Sequence, residues 1–198
     1  MLSIGEGREL VKLARSTVEM YAGSEGREFG LQKSSSKTLL QKCGVFVTIL
    51  SYPGKELRGC IGYTSPMTLR VAAQMAAYAA AFEDGRFSPV GKDELDRVVF
   101  EVSVLGEPQQ IKCKPEEYAN AIEAGKDGVI IKSGGSSGLF LPQVWEQLPD
   151  KERFLEELCH KAGLTSDFLF DEGTSLYKFR VQAFHELNPN GKIIESVS

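Results

Sequence analysis

Apolar positions recur along this chain with two periods, and the switch from one to the other outlines the elements. Leu10, Leu13, Ala14, Thr17, Val18 and Tyr21 fall at helical spacing, which predicts an amphipathic helix over residues 6–22 closed by Gly23. "GSEGREFG" and "KSSSK" follow as a polar, glycine- and serine-rich connection, suited to a mobile segment or a cover over a cleft. The period then drops to two. "GVFVTILS", residues 44–51, is rich in β-branched and aromatic residues and reads as a strand. "YPGKE" reads as a turn, with Pro53-Gly54 at the corner of a type II turn, and "LRGCIGYT" as the hairpin partner. Ser65-Pro66 has the form of a helix start, serine at the N-cap and proline at the first position. It leads into "MTLRVAAQMAAYAAAF", whose many alanines let other backbone approach, and "EDGRFSP" stops that helix.

Farther on, "KDELDR" predicts a short helix and "VVFEVSVL", residues 98–105, a strand. Alternation puts Val98, Phe100, Val102 and Val104 on one face of it, and Val99, Glu101, Ser103 and Leu105 on the other. "KPEEYANAIEAG" predicts a short amphipathic helix, and "DGVIIKS" and "GLFLP" predict strands joined by "GGSSG". Residues 142–162 hold one or two helices, and "SLYKFRVQAFHE" reads as one late strand. The end of the chain, residues 188–198, reads as a loose tail. Strands paired in hairpins with helices between them make the expected fold class α+β, with antiparallel or mixed sheets and flanking helices. No repeat and no shift in composition marks a boundary, so residues 1–198 are expected to form a single domain.

Composition narrows the chemistry. A formal charge of −4 over 198 residues argues against a broad surface that tracks phosphates. Cys43, Cys60, Cys113 and Cys159 contain no C-x-x-C pair, and only His160 and His185 accompany them, so no metal site is expected. No phosphate-binding or dinucleotide motif is present, and "SGGSSG" reads as a hairpin turn, so no cofactor is expected. "MLSIGEGRELVKLARS" carries charges where a signal peptide needs an apolar run. The apolar stretch 71–82 is short and interrupted by Gln74, so no membrane span is expected. Free thiols then point to a reducing, cytoplasmic compartment.

The segment most suggestive of a site is "ELRGCIGYTSP". In a regular strand Arg58, Cys60 and Gly62 share a face, which sets a guanidinium beside a thiol and favours thiolate. Gly59 and Gly62 let another backbone or a ligand come close. A small buried hydrophobe explains a cysteine there equally well. Asp84 and Arg86 lie just past a helix end, where they could orient Arg58 or hold a polar ligand, or form a solvated ion pair. Glu101 interrupts an apolar strand and is a candidate acid/base or cation clamp; an exposed strand face also accounts for it.

These blocks carry a family resemblance. "GVFVTI", "LRGCIGY", "AAAFEDGRFSPV", "ELDRVVFEVSVLGEP", "GKDGVIIKSGGSSGLFLPQV" and "FLEELCHKAGL" resemble, in order, the blocks of the AMMECR-one family over roughly residues 8–185. The resemblance implies an α+β fold of two lobes around antiparallel sheets, with the signature cysteine and arginine near a cleft between them. It also implies a modification pathway shared with a Memo-like protein and a radical SAM protein. Three readings follow. The first is an enzyme or enzyme subunit with Cys60 as nucleophile or covalent carrier, Arg58 stabilising the thiolate, Glu101 as acid/base, and Gly59, Gly62, Asp84 and Arg86 holding the substrate. The second is a non-catalytic module binding a peptide, a nucleotide or a partner protein. The third is nucleic-acid binding or modification.

Overall fold

The structure, a computed structural model, describes residues 2–23, 29–31 and 37–196, and only the backbone of Ser65 and Pro66. Most of the polar connection before the first strand therefore lies outside the described residues. In chain order the strands are β1 (Lys42–Ser51), β2 (Leu57–Thr68), β3 (Val98–Leu105), β4 (Gln109–Gln110), β5 (Gly128–Ser133), β6 (Ser136–Phe140), β7 (Thr174–Phe179), β8 (Val181–Glu186) and β9 (Ile193–Ser196). The α-helices are α1 (Ile4–Tyr21), α2 (Leu69–Phe82), α3 (Tyr118–Ala121) and α4 (Lys151–Lys161). Helices and antiparallel ladders together make the chain α+β. It divides into two compact units, Met1–Leu105 with Gln182–Val197, and Gly106–Val181.

The first unit is a five-stranded sheet in the order β2-β1-β3-β8-β9. A capping box opens α1: Ser3 Oγ accepts from the Glu6 N–H at 3.3 Å, and the Glu6 carboxylate accepts from the Ser3 N–H at 2.7 Å. Both long helices cover one sheet face. Leu10, Val11 and Val18 of α1 meet Ala72, Ala73, Ala76 and Ala77 of α2 over Val45, Val47, Ile49, Phe100 and Val102. Beneath them lies a buried ion pair. Arg15 donates through Nε and Nη2 to the two Glu186 oxygens, each at 2.6 Å, and its remaining donors reach the carbonyls of Leu95 and Val98. Glu186 also accepts from the Phe100 N–H at 3.1 Å, so the pair ties α1 to β3 and β8.

The second unit is a four-stranded sheet in the order β4-β7-β5-β6. Its β5–β6 hairpin turns on Gly134 and Gly135, both at positive φ (53° and 94°), as a tight two-residue connection requires. Trp145 stacks on Phe154 of α4 with ring centroids 3.7 Å apart and donates its indole N–H to the Asp127 carbonyl at 2.7 Å.

Five expectations are corrected. The second helix starts at Leu69 with Thr68 at its N-cap, because β2 keeps its extended backbone past Ser65-Pro66. The β1–β2 turn is not type II: the Tyr52–Pro53 bond is cis and the positive φ falls on Lys55, not on Gly54. "KPEEYANAIEAG" forms a 3-10 turn at Pro115–Glu117 and one short helix at Tyr118–Ala121. There Ile122 turns extended to bury its side chain, and the Glu123 N–H goes to Asp127. The late strand is two, parted at Arg180, whose guanidinium is drawn to Glu123 and Asp127. Residues 188–196 of the expected tail are not loose, the last two residues lying outside the described ones: β9 pairs with β8, Ile193 is buried in the first core, and its carbonyl accepts from Arg8 Nε at 3.3 Å.

Candidate functional site

The antiparallel register builds the site. Cys60 of β2 lies opposite Thr48 of β1, and Thr48 lies opposite Glu101 of β3. Directly opposed residues share a face, so thiol, hydroxyl and carboxyl form one row across three strands. The next row is Gly62, Phe46 and Ser103. Cys60, Thr48 and Glu101 are half-buried, and the Thr48 hydroxyl lies 3.3 Å from the Cys60 sulfur in a hydrogen bond. Burial pushes the Cys60 thiol pKa up; the Thr48 hydrogen bond and the Arg86 charge oppose the rise, while Asp84 and Glu101 add to it. Burial likewise pushes the Glu101 carboxyl up, against a hydrogen bond from Ser103.

Cys60 is fixed through its backbone. β2 ends the sheet, and the Cys60 N–H and C=O face that open edge. Asp84 and Arg86, just beyond α2, fill the place of a neighbouring strand. Asp84 Oδ2 accepts from the Cys60 N–H at 3.0 Å, and Arg86 Nη2 donates to the Cys60 carbonyl at 3.2 Å. The two are ion-paired to each other at 2.7 and 2.9 Å. Asp84 is buried and Arg86 largely exposed, and the guanidinium holds the Asp84 carboxyl well below the usual carboxylate range against the effect of burial.

Arg58 does not stand beside the thiol. Ile49 pairs with Gly59 and Leu50 with Leu57, so the register slips and leaves Arg58 with no opposite residue. A bulge of this kind re-aims its side chain. Arg58 donates through Nε and Nη2 to Glu94 at 2.8 and 3.0 Å, and more weakly to the Pro89 carbonyl. Arg58 holds the Glu94 carboxyl below its ordinary value. Arg86, not Arg58, is the guanidinium whose charge bears on Cys60. The expectation that Arg58 stabilises the thiolate is therefore corrected. The glycines serve packing. A Cβ on Gly59 would lie 2.1 Å from the Ala80 carbonyl oxygen of α2, and one on Gly62 would lie 2.2 Å from the Phe46 ring. Thr48 and Glu94 were missed by sequence reasoning; the polar position within "GVFVTILS" was the one available signal for Thr48.

A family model described as AMMECR1, the AMMECR-one family named above, matches residues 11–184. The chain belongs to the AMMECR1 family. Protein MJ0810 from Methanocaldococcus jannaschii is 42% identical over 198 residues, covering 98% of this chain and 97% of that protein. Protein PH0010 from Pyrococcus horikoshii is 44% identical over 194 residues, covering 94% and 93%. The crystal structure of the uncharacterized protein PH0010 superposes with a TM-score of 0.86 at 43% identity over 97% of each chain. Among the described residues of this AMMECR1-family chain, no three His, Cys, Asp or Glu side chains converge as metal ligands. No described helix is long and apolar enough to cross a membrane. Chemically, β2, β1 and β3 offer a row of polar groups in which burial favours the protonated forms of Cys60 and Glu101, with the largely exposed Arg86 guanidinium beyond the strand edge.

Proposed function

We propose that this protein is a binding module, and that the face carrying Cys60, Thr48 and Glu101 holds an uncharged, hydrogen-bonding group of a ligand, such as a peptide amide or a base edge. One observation carries the reading: the half-buried Cys60 thiol shares a hydrogen bond with Thr48 at 3.3 Å, and burial raises its pKa despite that bond and the Arg86 charge. A nucleophilic cysteine needs the thiolate, which an adjacent base or a cation supplies. Here the nearby guanidinium of Arg86 is already committed to Asp84. A neutral thiol, a hydroxyl and a carboxyl whose pKa burial pushes upward instead form a row of donors and acceptors on a rigid sheet. The enzyme reading keeps two arguments, the Thr48 hydrogen bond and the Arg86 charge, both of which draw the thiol pKa downward.

Complementation separates the two readings. In a host whose own copy is deleted, Cys60→Ser keeps a hydrogen-bonding group and restores the phenotype, while Thr48→Val and Glu101→Leu, folded by circular dichroism, do not. A folded Cys60→Ser protein that fails to restore the phenotype would overturn the binding reading.

A further inference from the structure

The second unit carries a groove that the Cys60 face does not involve. It measures about 430 Å³ and lies among three short helical segments: Pro115–Ala119, α4, and the 3-10 helix Ser166–Phe170. Its floor is apolar. Leu155 and Leu169 are buried there, while Phe170 keeps 61% of its surface exposed. Its rim is acidic. Glu152 and Glu156 flank Leu155 on one face of α4, at i, i+3 and i+4 spacing, and Glu116 and Asp167 stand on the other two segments. All four carboxylates are exposed, none is ion-paired among the described residues, and no Lys or Arg lines the groove. Burial pushes the thiol of the buried Cys159 of α4 up to about 11, and the Asp167 and Glu156 charges add to the rise.

An open aromatic over an apolar floor marks a surface that gains from being covered. Four unpaired carboxylates around it repel acidic partners and attract basic ones. We propose that this groove docks a basic amphipathic peptide segment of a partner protein, with an apolar side chain on Leu155, Leu169 and Phe170 and Lys or Arg side chains against the acidic rim.

The probe is a short fluorescein-labelled peptide with Lys or Arg and Leu or Phe at helical spacing, read by anisotropy against the full chain. Its twin carries Glu in place of each Lys and Arg. The basic peptide is expected to bind saturably at one site, and the acidic twin not at all. Glu152→Lys/Glu156→Lys should weaken binding at least ~tenfold, since both charges face the ligand. Phe170→Ala should weaken it at unchanged charge. The control is Glu56→Lys, an exposed residue of the first unit, which should change affinity little. These positions are exposed, so circular dichroism should match the parent. Equal weakening by Glu56→Lys, or binding untouched by the double variant, would reduce the effect to overall charge and overturn the proposal. So would equal displacement by spermine, which has the charge without the apolar face, or self-association that the double variant abolishes, which would make the occupant a second copy.

Discussion

Gly59→Ala tests the packing that shapes the Arg58–Gly62 segment of β2. The added Cβ would lie 2.1 Å from the Ala80 carbonyl oxygen and 3.0 Å from its carbonyl carbon. Real Cβ contacts essentially never fall below 3.0 Å, so β2 and α2 must part by about 0.9 Å or more at this point. Both partners are backbone, and no rotamer change relieves the clash. The helix cannot shift alone, because it also packs on β1 and α1. Overpacking a tight core costs about 1–3 kcal/mol, and a backbone collision belongs at the top of that range, about 3 kcal/mol. For a chain of this size that is a fall in Tm of about 6–12 °C. Gly62→Ala is the matched control. Its Cβ meets the half-buried Phe46 ring, which can turn away, so the cost is about 1 kcal/mol. Scanning calorimetry of the two variants under one buffer decides. A Gly59→Ala protein that melts within 2 °C of the parent, or above Gly62→Ala, would refute the close approach of α2 to β2.

Asp84→Asn should cost about 2 kcal/mol at neutral pH in urea unfolding, since it weakens charged hydrogen bonds to the Cys60 N–H and to Arg86, the latter partly screened by solvent. The Asp84 pKa is depressed in the fold, so its contribution is complete above the ordinary value of 3.8 and lost as pH falls below it. The parent should therefore lose stability more steeply than Asp84→Asn below about pH 4; parallel acid titrations would contradict this. Glu186→Leu leaves the buried Arg15 guanidinium with the Leu95 and Val98 carbonyls and a 3.6 Å contact to the partly exposed Glu19, and should cost about 3 kcal/mol, read as a shift in the urea midpoint. A loss under 1 kcal/mol would mean that Arg15 is solvated in the fold.

The strands were legible where burial and period coincide. β1 from Val45 to Ile49 and most of β3 carry β-branched and aromatic residues, and hydrophobic pattern alone places them. "SLYKFRVQAFHE" misled because its alternation runs unbroken through Arg180, while the hydrogen-bonding partners change from β5 to the other sheet. Pattern records which side chains are buried, not which strand they pair with. The tail misled because only Ile193 and Ile194 mark it as a strand, in a segment short enough to resemble a frayed end.

In the candidate site, Cys60 and Glu101 were legible as polar interruptions of apolar strands. Their alignment through Thr48 was not, since register is a long-range property. The placement of Arg58 failed for the same reason. Strict alternation assumes regular pairing, and one slip at Leu50 sends the guanidinium to Glu94. Asp84 and Arg86 could be singled out as a pair past a helix end, but their use as a substitute strand for Cys60 depends on α2 returning the chain to the edge of β2.

The central claim is that Cys60 acts as a neutral hydrogen-bonding group. The direct measurement is the rate of Cys60 alkylation by iodoacetamide against pH, resolved from the other three cysteines by peptide mass spectrometry. Thiolate carries the reaction, so the midpoint of the rate profile reports the thiol pKa. The account predicts a midpoint above the ordinary 9.0, with slow modification at pH 7 that Thr48→Val changes and Arg58→Lys does not. A midpoint well below that value, with rapid labelling at neutral pH, would contradict it and restore Cys60 as a nucleophile.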